Sequence, residues 1–252
     1  MINFGVGKLI AVPTNLADGT AIANPTPVVL GTMQDVSLDL SVELKTLYGS
    51  RRYPIAVGQG KGKTSIKAKY AEIDGGILGG LFFGKTDTAG IKAAVFDSAG
   101  AVPATPGPYT LTVTPPGAGT FVSDLGVMDA VTGGQLARVA TAPATGQYSV
   151  SPAGVYTFAS ADHGKAVKIS YEYSAATGGK VWTITNETMG YTPSFTLLLQ
   201  NGYQGKNLVV KLNRCVSGKL TLPLKNDDFA VYDFDAEAFA DTNGELGYIC
   251  LF

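Results

Sequence analysis

Between Val36 and Leu44 five apolar residues occupy every second position: Val36, Leu38, Leu40, Val42 and Leu44. Ser37, Asp39, Ser41, Glu43 and Lys45 alternate with them. A helix scatters such a set around its axis, whereas a strand places it on one face. The same period returns at Thr64, Ile66, Ala68 and Tyr70, set against Lys63, Ser65, Lys67 and Lys69. Both segments read as strands with one dry and one wet face, which commits this part of the chain to a sheet.

The remaining chain extends that reading. Gly 32, Pro 13 and a charged fraction of 15% favour short strands joined by tight turns. An apolar content of 45% is too high for a disordered chain. Strands are expected at Val28–Leu30, Lys180–Asn186, Ser194–Gln200, Gln204–Asn213, Cys215–Leu222, Asp228–Phe234 and Leu246–Leu251. Asp241-Thr242-Asn243-Gly244 is a turn signal before the last of these. One helix is expected, capped by Asp74, with Ile77, Leu78, Leu81 and Phe82 as its apolar stripe and Gly84 at its end. Gly75, Gly76, Gly79 and Gly80 each lower its propensity by roughly 1 kcal/mol, so packing must hold it.

The middle of the chain changes character. Short strands at Tyr109–Thr114, Leu136–Thr141, Gln147–Val150, Val155–Phe158 and Ala166–Tyr173 are bordered by Ala-Gly-Pro-rich stretches, at Ala99–Pro108 and Ser174–Gly179. This pattern predicts a small all-β module, residues 86–179, inserted into a parent β-domain of residues 1–85 and 180–252. The ends of the insert must then lie close together. The segment Thr46–Gly62, with five glycine or proline punctuations, reads as a long loop between two early strands. Its Leu47, Tyr48, Tyr53, Ile55 and Val57 are poorly suited to water, and a neighbouring molecule is the natural place to bury them.

Catalytic and cofactor chemistry finds little support. Gly58–Thr64 resembles a phosphate loop, but Val57 stands where the motif needs glycine and a period-2 strand follows instead of a helix. His163 is the only histidine and lies in a turn, so it reads as a surface residue. Two cysteines, Cys215 and Cys250, read as buried free thiols, and with one histidine they make no usual zinc site. Asp233, Asp235 and Glu237 share one strand face without the glycine of a calcium loop. No catalytic, cofactor or metal residues are therefore expected. Trp182 reads as a core or interface anchor. No basic leader precedes an apolar run, and no apolar stretch approaches the roughly 18–20 residues that span a bilayer, so membrane insertion and classical export are not expected.

Charge is segregated along the chain. Lys45, Arg51, Arg52, Lys61, Lys63, Lys67 and Lys69 are the only charged residues from 45 to 69. Asp227, Asp228, Asp233, Asp235, Glu237, Asp241 and Glu245 are the only ones from 227 to the end. The total is nearly neutral, 19 basic against 20 acidic residues, which argues against a nucleic-acid binder. Opposite poles suit copies that meet heterologously, the basic surface of one on the acidic surface of the next. The alternative is that the two runs are solvated faces or pair within one molecule.

The succession of Leu47–Pro54, Gly60–Ile73, a glycine-rich helix through Phe83, then Gln204–Asn213, Cys215–Leu222 and Asp228–Asp235 resembles the major tail tube proteins of long-tailed bacteriophages. So does the inserted run Gly146–Val150, Gly154–Phe158 and Lys168–Tyr171. The resemblance implies an all-β fold with one short helix, an antiparallel β-sandwich. Six copies would form a ring whose inner strands close a barrel, and rings would stack into the tail tube, the conduit for DNA ejection. It implies a tape-measure protein, a tail-tip initiator and a tail terminator as partners, DNA passing without specific binding, assembly in the host cytoplasm and a place in the virion. On this reading Leu47, Tyr48, Arg51, Arg52, Tyr53, Ile55 and Val57 form an inter-subunit loop, and Asp227, Asp228, Asp233, Asp235 and Glu237 its acidic partner surface. The lumen would carry acidic and small polar residues, and the insert would lie on the outer surface. A competing reading is a carbohydrate-binding or adhesin-type module with Tyr148, Tyr156, Tyr171 and Tyr173 as an exposed aromatic patch.

Overall fold

The computed structural model describes residues 4–72 and 75–252. In chain order the strands are β1 (Lys8–Asn15), β2 (Val28–Leu30), β3 (Met33–Tyr48), β4 (Pro54–Tyr70), β5 (Thr88–Ala101), β6 (Thr110–Thr112), β7 (Thr120–Asp129), β8 (Ala137–Arg138), β9 (Gln147–Val150), β10 (Val155–Phe158), β11 (Ala166–Val181), β12 (Ser194–Tyr203), β13 (Lys206–Thr221), β14 (Tyr232–Ala238) and β15 (Gly247–Leu251). The protein is all-β and its pairings are antiparallel, apart from a two-residue parallel contact between β8 and β9. The chain divides into two compact units, residues 1–86 with 182–252, and residues 87–181.

The first unit is one sheet in the order β2-β1-β12-β13-β14-β4-β3, with β15 also on β13. Its alternating apolar residues form a single core, including Leu9 and Ala11 of β1, Phe195 and Leu197 of β12, Ile66 and Ala68 of β4, and Phe234 of β14. The Phe195 and Phe234 rings are 5.9 Å apart although β13 separates their strands. The two halves of the sheet therefore face each other as in a sandwich, but they remain hydrogen-bonded through β13. Register shifts between Phe195 and Leu197, and between Ser217 and Lys219, supply the bend. The sequence suggested two strands across 204–222; a single strand runs Lys206–Thr221, and only Gln204-Gly205, both at positive φ, turn the β12–β13 hairpin.

The helix is a short π-helix, Ile77–Phe83, ended by Gly84 in the left-handed region. Ile77 and Leu81 enter the core, while the expected Asp74 cap lies outside the described residues. A Cβ at Gly75 or Gly79 would overlap the Trp182 indole. Two of the four glycines thus let the indole seat directly on helix backbone, and that contact offsets their poor helix propensity.

In the second unit, β5-β11-β7 form one sheet and β6-β10-β9-β8 another. Val127, Tyr148, Tyr156, Phe158, Ile169 and Tyr171 are buried in the core of this unit. The Ala-Gly-rich border at 174–179 is paired strand and not a linker. β11 continues through Ser174–Gly179 to Val181, with a register shift that takes up the extra residues, and Val181 pairs with Thr88. Lys180 also pairs with Asp87 at 3.1 Å. The ends of the unit are thereby zipped together, the geometry an insertion needs. The strand expected over Lys180–Asn186 stops at Val181, and that over Leu136–Thr141 shrinks to Ala137–Arg138.

Candidate functional site

The segment expected as a loop, 46–62, is mostly paired strand. β3 and β4 run antiparallel from Met33↔Tyr70 to Tyr48↔Pro54, and only residues 49–53 turn. Glycine misled the sequence reading: Gly58, Gly60 and Gly62 lie within β4, where the register shift between Val42 and Leu44 accommodates the extra residue. The last rung shared with β14 is Ala238↔Thr64. Beyond it, from Leu40 to Tyr48, the hairpin continues alone for about 27 Å at the usual rise per residue.

This arm is apolar and exposed. Leu40, Val42, Leu44, Leu47, Tyr48, Ile55 and Val57 are all exposed, and Tyr53 at the tip is 77% exposed. Among the described residues β3 has no neighbour on its outer side, and β4 none on its inner side beyond Thr64. An arm with wet apolar side chains and two free edges is a template for pairing. The sequence-predicted residues Leu47, Tyr48, Arg51, Arg52, Tyr53, Ile55 and Val57 are therefore brought together, on a two-stranded arm.

The acidic residues divide. Asp233, Asp235 and Glu237 belong to β14, whose register sets Asp233 against Lys69, Asp235 against Lys67 and Glu237 against Ser65. Asp35 of β3 flanks Lys69 from the other side. The Lys63 ammonium donates to Glu237 at 2.5 Å, which holds its pKa above the ordinary lysine value. This half of the segregated charge thus meets within one molecule: three carboxylates expected on a partner surface already face the basic face of β4. The reason is topological, since β14 is the strand that pairs with β4.

Asp227 and Asp228 lie elsewhere. The strand expected from Asp228 begins only at Tyr232, and 222–231 is an irregular loop. Pro223 and the Asn226-Asp227-Asp228 run favour that: Asp228 accepts from the Phe229 amide at 2.8 Å and from Lys225 at 3.3 Å. Leu224, 94% exposed, and Phe229, 87% exposed, flank the two carboxylates. Sequence reasoning missed both apolar residues, because an isolated Leu or Phe beside a strand reads as core.

Other candidates resolve plainly. Tyr148, Tyr156, Tyr171 and Tyr173 are buried, so they form no exposed aromatic patch. Tyr148 and Tyr156 donate their hydroxyls to Asp124 at 2.7 and 2.9 Å, and burial with this bond raises both phenol pKa values well above the ordinary range. Cys215 is buried, which pushes its thiol up to about 12, whereas Cys250 on β15 is exposed, contrary to expectation. The reason is that, among the described residues, β15 pairs only with β13 and its other side is left uncovered. His163 is exposed at the end of a short helical turn, and Gly58–Thr64 is strand. No helix among the described residues is long and apolar enough to cross a membrane.

No known protein family matches this chain, and no curated protein sequence is similar to it.

Proposed function

We propose that this protein is a structural subunit that self-assembles, through its hairpin arm, into stacked hexameric rings forming a bacteriophage tail tube. One observation carries the reading: a paired, 27 Å-scale arm whose apolar residues and backbone edges are all unsatisfied in the single chain. Burying one such side chain stabilises by about 1.5–3 kcal/mol, whereas an exposed ion pair contributes ~0–1 kcal/mol. The apolar residues thus supply the energy of association, and charge supplies its direction. The sequence resemblance supplies the kind of assembly, with tape-measure protein inside during construction and DNA passing later. The protein acts as building material and not as an enzyme, in the virion.

Purified protein at high concentration, viewed by negative-stain electron microscopy with light scattering alongside, tests this. Hollow tubes or rings of uniform width are the expected outcome. A species that stays monomeric at every concentration, with or without tail-tip initiator, overturns it.

A further inference from the structure

The arm and the 222–231 loop lie at opposite ends of one ladder. Tyr48↔Pro54 closes the arm end, while Tyr70 pairs with both Met33 and Tyr232 at the other, where the loop enters β14. The fifteen residue steps of β3 from Met33 to Tyr48 separate these ends by about 50 Å, so an arm tip cannot touch its own loop. The charge of the first unit is divided the same way. Residues 43–61 hold four cations, Lys45, Arg51, Arg52 and Lys61, against the single carboxylate Glu43. The rest of that unit holds ten cations and thirteen carboxylates. Both ends also expose large apolar side chains, Leu47, Tyr53 and Ile55 on the arm, Leu224 and Phe229 on the loop.

We infer that the arm tip of one copy docks on the 222–229 loop of a second copy, Arg51 and Arg52 meeting Asp227 and Asp228 while Tyr53 and Ile55 pack on Leu224 and Phe229. This rests on the self-assembly reading above and names the partner surface of its arm. Pairing of Asp233, Asp235 and Glu237 along β4 leaves Asp227 and Asp228 as the carboxylates set beside exposed apolar side chains at that pole, with Lys225 of its own loop the only cation that Asp228 meets among the described residues. Because donor and acceptor surfaces differ and lie at opposite poles, the contact is heterologous and repeats head to tail along the strand direction. It fixes polarity: arm cannot meet arm, since like charges oppose each other there.

The test mixes two full-length chains, each with Cys250→Ser, one with Ser50→Cys and the other with Asn226→Cys, exposed positions beside the contact that leave Tyr53 and Phe229 in place, and adds a short bismaleimide. A cross-linked pair is expected. Arg51→Glu with Arg52→Glu in the first chain should lower its yield about tenfold, and Asp227→Arg with Asp228→Arg in the second should restore it. These positions are exposed, and circular dichroism checks that each variant folds. Tubes without this cross-link overturn the inference and leave the self-assembly reading standing. Cross-linked short oligomers without rings or tubes support the inference and overturn the tail-tube reading. A yield unchanged by charge reversal also overturns the inference.

Discussion

Replacing Asp124 with Ala should cost the second unit about 3–5 kcal/mol. The Asp124 side chain is 3% exposed and accepts from Tyr148 Oη at 2.7 Å, Tyr156 Oη at 2.9 Å and the Gly126 amide at 3.1 Å. Arg138 stands 3.7 Å away. Hydrogen bonds to a charged group contribute ~1.5–3 kcal/mol each, and two hydroxyls would be left buried without an acceptor. Asp124→Asn keeps one acceptor oxygen and should cost roughly half as much. Tyr148→Phe with Tyr156→Phe on top of Asp124→Ala removes the stranded hydroxyls, so the triple variant should be less destabilised than the sum of its parts. Thermal and urea unfolding of the full chain measure this, with hydrogen exchange read by mass spectrometry on peptides of residues 87–181 following the unit that holds the pair. The same network has a pH signature. Both phenols have folded pKa values raised above 10.0, so their contribution is complete below pH 10.0 and is lost as pH rises beyond it. Alkaline unfolding of this unit should therefore begin above that value, and Tyr148→Phe with Tyr156→Phe should delay it. Unfolding of Asp124→Ala within about 0.5 kcal/mol of the parent would refute the reasoning, because such a value belongs to an ordinary surface change.

Gly79→Ala places a methyl group in the Trp182 indole and should cost about 1–3 kcal/mol, seen as a shift in the emission of Trp182, the one tryptophan. In the native chain a maleimide or disulfide reagent should label Cys250 and spare Cys215, with both labelled after unfolding; rapid labelling of Cys215 would contradict its burial. Asp241 accepts from the amides of Glu245 and Asn243, the first of these lowering its pKa most, so this turn is held above pH 3.8 and loosens as pH falls below it. Pepsin should accordingly cut the Leu246–Phe252 tail more readily as the pH drops under that value, and Asp241→Asn should flatten the dependence.

Strands with a strict apolar alternation were legible without the structure, although the apolar face of β3 proves exposed from Leu40 onward. Val36–Leu44 and Thr64–Tyr70 declare themselves because period 2 leaves only one geometry in which the apolar set shares a face. The buried side chains Ile66, Ala68 and Tyr70 lie where that pattern puts them. The helix end at Gly84 and the Asp241 turn were legible for the same local reason, a residue chemistry tied to one backbone conformation. The strands that the sequence hid lack alternation for different reasons: β5 is rich in Ala, Gly and Ser, and β7 sets Phe121 beside Val122 and Val127 beside Met128. Glycine marks a turn only when nothing holds it in a ladder, and Gly58 and Gly62 are held by Lys45 and Val42 of the neighbouring strand. The fate of the charges was likewise not a local property. Segregation along the chain suggested two opposed surfaces, but pairing of β14 with β4 laid half of them side by side in one molecule. Only the tertiary structure could decide this, because strand order sets which faces become neighbours, and no local propensity encodes strand order. What it left over, a basic apolar arm at one pole and the acidic apolar loop at the other, is the part of the segregation still available to a second copy.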